Sequence, residues 1–229
     1  MSTARKRIQT SETMMVGIEM AAAGGFMDAY SYLARGHVFA NAQTGNMILL
    51  GIGLFNGDMT AISHYGTPIL AFALGVAMAE VIRTQISKGH DSDRLFHWRQ
   101  ISVLAEMILL VCVSFLPQEL NLLANSLTSL ACGIQVESFR KIHGNGAATT
   151  MCIGNLRSGT ENLCRFIQLR EPVYLKRTAL YFGLILCFIL GAVFGSFVIQ
   201  SLALKAILVD AAILMIAFLI MFQEEKEFG

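Results

Sequence analysis

Long apolar runs alternate with short polar ones along the whole chain. A helix needs about 20 apolar residues to cross the ~30 Å core of a bilayer. Six runs approach that length: residues 14–33, 62–86, 101–116, 120–139, 174–199 and 202–222, the third being short. Two more, 38–55 and 147–167, are broken by polar side chains. The first carries Asn41, Gln43, Thr44 and Asn46; the second carries Asn155, Arg157, Ser158, Glu161 and Asn162. Glycine sits in the middle of both. The pattern predicts an all-α membrane protein with about six transmembrane helices plus two re-entrant or broken helices.

Composition agrees. Of 229 residues, 55% are hydrophobic and 14% charged, against roughly 25% charged in a soluble domain. Mean hydropathy is +0.58. Such a chain cannot cover its surface with polar side chains in water. A net charge of +1 gives no pull towards nucleic acid, so the lipid bilayer is the expected partner. Cys112, Cys132, Cys152, Cys164 and Cys187 stand singly, without metal-ligand spacing, and read as small buried residues. Arg5-Lys6-Arg7 before an apolar run with Ala21-Ala22-Ala23 could imitate a signal peptide. A retained membrane anchor is the preferred reading.

Charge distribution decides how the two broken segments are treated, because cytoplasmic loops are enriched in Lys and Arg. If all eight segments crossed, the basic residues would divide evenly between the two sides. If the broken segments return to the side they entered, one side keeps only Arg35 and Lys205, and the other 15 of the 17 basic residues lie opposite. This predicts a multi-pass protein with both termini cytoplasmic.

An internal repeat fits the same plan. A shift of 109 positions sets Gly24 on Gly133, Asp28 on Glu137, Tyr30 on Phe139, and Gly45-Asn46-Met47 on Gly154-Asn155-Leu156. A shift of 116 sets Phe72–Gly75 on Phe188–Gly191. The expected division is a first repeat over residues 1–116, with a tail at 1–12, and a second, inverted repeat over 117–229. Three crossings per half would turn the second copy upside down, as in many transporters.

The paired Gly-Asn steps are the sharpest candidates for chemistry. Glycine permits a tight turn and Asn is a favoured N-cap. A helix over 47–56 would be ~15 Å long, half the hydrocarbon thickness. Its N–H groups would face the midplane, where Thr44, Gln43 and Asn41 add partners and a polar or anionic solute could sit. The competing reading is that the Asn side chains only cap broken helices.

Asp28 and Glu137 could bind a cation or relay a proton; equally, they could make interhelical bonds. Glu19 and Asp210, lacking repeat partners, rank lower. Glu80 and Glu106 are expected near the cytoplasmic surface, in local ion pairs beside Arg83 and Arg99. Gly75-xxx-Ala79 and Gly191-xxx-Gly195 read as close-packing helix faces. Gln135 and Arg157 flank the second motif. No HExxH, GxSxG or phosphate loop is present, and His37, His64, His90, His97 and His143 fall in expected loops. No enzyme activity, catalytic residue, metal site or cofactor is expected.

Gly25-Phe26-Met27-Asp28-Ala29-Tyr30, followed by Val38-Phe39-Ala40-Asn41-Ala42-Gln43-Thr44-Gly45-Asn46, resembles the opening signature of the YoaK-like bacterial membrane proteins. Gly133-Ile134-Gln135 and Thr149–Leu156 look similar to the signature of their second half. The family reads Thr-Gly-Asn in both copies; here Ile153 stands in place of the second Thr. The resemblance implies a bacterial cytoplasmic (inner) membrane protein of about six helices, and no substrate.

The leading expectation is a transporter or channel-like permease for a small polar or anionic solute, its site built from Asp28, Asn41, Gln43, Thr44, Gly45, Asn46, Gln135, Glu137, Gly154 and Asn155. The alternative is a non-transporting scaffold or sensor. The small-residue faces are compatible with a homo-oligomer.

Overall fold

The computed structural model describes residues 14–88, 98–140, 142, 146 and 149–227. The tail with Arg5–Arg7, the loop with His90, Arg94 and His97, and Lys141, His143 and Ala147 lie outside the described residues, as do the side chains of Lys88 and Lys226. Among the described residues there are eight α-helices: α1 (Met14–Ala34), α2 (Gln43–Asn56), α3 (Met59–Lys88), α4 (Trp98–Ser114), α5 (Asn121–Ser138), α6 (Cys152–Leu169), α7 (Pro172–Leu202) and α8 (Ile207–Glu227). Single turns of 3-10 helix lead into α5 and α8. Each of the six long apolar runs is a helix. Two stretches, Met59–Gln85 and Pro172–Met221, are long and apolar enough to cross a membrane.

The distribution of polarity is that of a protein dissolved in lipid. Arg35, Asn46, Ser102, Glu106, Ser129, Gln135 and Asp210 are wholly buried. Leu70, Leu74, Leu186, Leu190 and Phe197 lie exposed on α3 and α7. A soluble domain would bury the second set and expose the first. The chain is an all-α membrane protein.

The core sits between α1, α4, α5 and α8, where Met20, Phe26 and Met27 of α1 meet Val103 and Leu110 of α4, Ala131 and Cys132 of α5, and Leu214 and Ala217 of α8. Around it, α1 packs most closely on α7 and α5 on α3; α2 lies on α3 and α6 on α7; α4 touches α5 and α8 touches α1; α4 and α8 pack on each other. Exchanging the first four helices for the last four maps this set of pairs onto itself.

Four glycines make the two main crossings possible. A Cβ on Gly25 would collide with the Phe188 carbonyl oxygen, and one on Gly191 with the Ala22 carbonyl oxygen. At the other crossing, Gly133 meets the Phe72 oxygen and Gly75 the Leu130 oxygen. Backbones this close gain dispersion contacts that replace the hydrophobic driving force absent between helices in lipid. Gly195 lies against Phe26, and Ala79 is buried. The small-residue faces on α3 and α7 are therefore packing faces. The crossings also refine the internal alignment: Gly25, not Gly24, takes the place that Gly133 takes in the second half.

Two expected placements are corrected. Arg35, expected in an aqueous loop, is fully buried at the end of α1. Its guanidinium donates to the Val113 carbonyl in the last turn of α4, to the Pro117 carbonyl just beyond it, to Asn121 Oδ1 and to the Tyr30 hydroxyl, at 2.9–3.2 Å. A cation there meets the C-terminal, negative end of α4, and it adds to the backbone bonds that both carbonyls already accept, from the Leu116 and Leu120 N–H groups. Glu106, expected near the surface beside Arg99, is likewise 0% exposed, in the core. Arg99 instead donates from Nε to the Ser138 carbonyl and stacks on Trp98. Glu80 does pair with Arg83, at 2.7 Å.

Replacing Gly75 or Gly191 with Val should force the crossings apart at a cost of about 1–3 kcal/mol or more. Gly183 has nothing within 4 Å of a built Cβ, so Gly183→Ala should be neutral or stabilise by up to ~1 kcal/mol. Thermal melts of detergent-solubilised protein, read by fluorescence size exclusion, compare the three; equal midpoints would contradict the crossing assignment.

Candidate functional site

Between α1 and α2 the chain leaves helical geometry for eight residues, Arg35 to Ala42. Gly36 and His37 have positive φ, 89° and 63°, which turns the chain back towards the bundle. Non-helical backbone buried away from water must find partners for each N–H and C=O, and the polar residues around it supply them. The Phe39 N–H donates to Asn46 Oδ1 at 3.0 Å, and Asn46 Nδ2 donates to the Phe39 carbonyl at 2.7 Å. Ala40 N–H donates to Ser31 Oγ, while the Ala40 carbonyl accepts from Gln43 Nε2. Asn41 N–H donates to Asp28 Oδ1 at 2.7 Å, with Ala42 N–H at 3.4 Å. Asn125 Nδ2 of α5 donates to the Arg35 carbonyl.

Helix α2 therefore begins at Gln43, not after Asn46, and its N-cap position is Ala42 without a side-chain bond. The expectation that Asn46 caps a half-helix is overturned: it lies one turn inside α2 and clamps the extended segment before it. Two of the leading N–H groups of α2 are also occupied, Gln43 by the Asn41 carbonyl and Gly45 by the Ala42 carbonyl. Helix α2 ends in a left-handed Gly57, φ 68°, with Asp58 N–H bonding to the Gly53 carbonyl. Asp58 Oδ1 then caps α3 through the Thr60 and Ala61 N–H groups. The second broken segment also starts its helix three residues before its Asn, at Cys152, and Asn155 is buried. Asn155 does not cap it either.

A cavity of about 920 Å³ opens between the start of α2 and the start of α6. Its apolar wall comes from Phe39, Met47, Ile69, Phe72, Ile153 and Phe188, with Ala73 of α3 and Ala192 of α7 facing into it. Its polar groups are Asp28, Asn41, Gln43, Thr44, Thr150 and Ser196. Asn41 Nδ2 is fixed by the Gly24 carbonyl, whereas Asn41 Oδ1 is buried without a hydrogen-bond partner. Thr44 and Ile153, which correspond under the shift of 109, both line the cavity, so its two motif ends differ in polarity.

Of the ten candidate residues, Asp28, Asn41, Gln43, Thr44 and Gly154 line this cavity; the other five do not. Gly45 packs under Phe39. Asn46 and Asn155 lie buried behind the wall. Gln135 Nε2 donates to the Met20 carbonyl and ties α5 to α1. Glu137 pairs with Arg140 at 3.1 Å, far in character from the buried Asp28 whose counterpart it was expected to be. Arg157 is exposed on α6 and absent from the lining. Thr150 and Ser196 enter the lining without having been singled out: Thr150 adjoins the second motif, and Ser196 directly follows the Gly191-xxx-Gly195 face, where only the crossing of α7 turns it inward. Among the described residues no group of three or more His, Cys, Asp or Glu could hold a metal ion.

Comparison with known proteins places this architecture. Residues 16–220 match the family described as Protein of unknown function (DUF1275). The chain belongs to that family. It is 27% identical over 177 residues to the UPF0700 transmembrane protein YoaK of Bacillus subtilis (strain 168), covering 74% of this chain and 76% of the relative. No solved structure matches it. The resemblance read from Gly25–Tyr30 and Val38–Asn46 thus holds over most of the chain of this DUF1275 protein.

Asn46→Ala should leave the Phe39 N–H and carbonyl without their side-chain partner and destabilise the protein by about 1–3 kcal/mol. Asp28→Asn keeps an acceptor for the Asn41 N–H and should cost less than Asp28→Ala. Melting midpoints in one detergent test the order; an Asn46→Ala protein as stable as wild type would remove the clamp.

Proposed function

We propose that this protein is a small-solute permease whose binding site is the cavity between the starts of α2 and α6. The observation that carries the reading is a large, mainly apolar cavity whose lining includes two side chains with acceptor oxygens, Asp28 and Asn41. Two acceptors on an apolar wall suit a solute that donates hydrogen bonds from one end and carries an apolar body. An anion suits it less well, because Asp28 stands in the wall and part of the α2 terminus is already paired.

The proposal includes an inverted repeat. Its support is the set of helix pairs that survives exchange of the two halves, with α2 and α6 as elements that return to the side they enter. The chain would then cross the bacterial inner membrane six times, with both termini cytoplasmic. The expectation of no enzymatic chemistry stays part of this reading. A scaffold or sensor is the second reading. It is favoured by the use of Asn46, Gln43 and Asp28 Oδ1 in holding backbone.

Proteoliposome flux across a panel of amphipathic amines, alcohols and carboxylates separates the two. Ala73→Trp or Ala192→Trp, which fill the cavity from α3 and α7, should abolish the flux that wild type shows while the protein still folds. Null flux for wild type over the whole panel supports the scaffold. In a cysteine-less background, single cysteines at residues 41–47 and 149–156 should react with membrane-impermeant thiol reagents from opposite faces; labelling of both from one face would sink the inverted arrangement.

A further inference from the structure

The core holds two acids that the cavity does not use. Glu106, in the middle of α4, and Asp210, in the first turn of α8, are both 0% exposed. They belong to the two helices of the α4–α8 contact, near enough for the charge of Asp210 to act on Glu106. All four carboxyl oxygens are buried without a hydrogen-bond partner. Their neighbours along the two helices include Val103, Met107, Leu110, Ala211 and Leu214, all members of the hydrophobic core.

Among the described residues, the buried or turn-borne cations of this part of the fold are held elsewhere. Arg35 donates to carbonyls, Asn121 and Tyr30. Arg99 donates to the Ser138 carbonyl, and Lys205, in the turn before α8, sits 4.0 Å above the Phe115 ring. Among the described residues, Cys132 of α5 is near enough to feel both acids, and also Asp28 of α1. Neither can supply positive charge. Two unpaired carboxylates sealed in an apolar core would each carry the full cost of desolvation and would repel one another. A bound cation removes both costs. Four oxygens from two side chains fall short of the donor set of a metal ion, and no third ligand of the usual kinds is at hand among the described residues. A proton needs no more than one of those oxygens.

We propose that Glu106 and Asp210 form a proton-binding pair, at least one of the two carboxyls carrying a hydrogen that lies between α4 and α8. Because the pair joins α4 to the corresponding helix of the other half of the chain, loss of that proton would act on the contact between the halves. This inference does not depend on whether the cavity carries a solute.

Infrared difference spectroscopy of the full chain in nanodiscs at neutral pH tests it, comparing wild type with the Glu106→Gln/Asp210→Asn double variant. The expected difference is a protonated-carboxyl C=O stretching band, present only in wild type and sensitive to deuterium exchange. A difference confined to the carboxylate stretching region overturns the proposal. Loss of the band on adding sodium at constant pH also overturns it, in favour of a metal cation. Each amide closely copies the shape of the neutral acid, so Glu106→Gln and Asp210→Asn should each fold and melt at or above wild type. Failure of both single variants to fold would show that a charge is required and would equally overturn the pair.

Discussion

Backbone amides that cannot reach water must be paired inside the protein, and that constraint governs the segment from Arg35 to Ala42 and much that surrounds it. In lipid an α-helix meets the requirement by itself; an extended stretch cannot. Here Asp28 and Ser31 of α1 and Gln43 and Asn46 of α2 flank the stretch in sequence, and Asn125 reaches its first carbonyl from α5. The polar motif around Asn41 and Asn46 is thus first a device for keeping eight residues non-helical. The cavity beside them follows, because a chain that is not coiled leaves room where a helix would have filled it.

The crossings set how much room remains. With no side chain at Gly25, Gly75, Gly133 and Gly191, α1 lies directly on α7 and α5 on α3. Each crossing joins a helix of one half to a helix of the other, so neither half can fold around its own core. The halves interlock, and α2 and α6 ride on the outer partners, α3 and α7. Their starting turns consequently meet across one cavity. Gly17 and Gly24 of α1 belong to the same scheme, for a Cβ at either would strike Ile142 or Thr150 of the segment leading into α6.

Polarity inside this protein has three separate uses. Arg35 and Asn46 satisfy backbone. Gln135, with its donor on Met20, ties helices together. Glu106 and Asp210 do neither, and the contrast with Arg35, the other wholly buried charged side chain among the described residues, sets them apart: Arg35 has partners and they have none. Buried carboxyls without partners are costly in a membrane, which is why their presence between α4 and α8 points to a bound proton rather than to packing.

The sequence alone determined the solvent, the helices and the places where helices fail. Apolar run length fixes which segments can lie in lipid, and Gly-Asn steps among polar neighbours mark the breaks, because these are local properties of a chain. It also marked Gly75 and Gly191 as packing positions from their spacing. Only the tertiary structure decided which polar side chains face a cavity and which face backbone. Asn46 and Thr44 are two residues apart, yet one clamps Phe39 and the other lines the cavity. Likewise, Glu106 read as a surface acid next to Arg99 until the α4–α8 contact enclosed it. An acid on a helix can be solvated, paired or sealed off, and that depends on which helix covers it, a fact that arises only when distant parts of the chain meet.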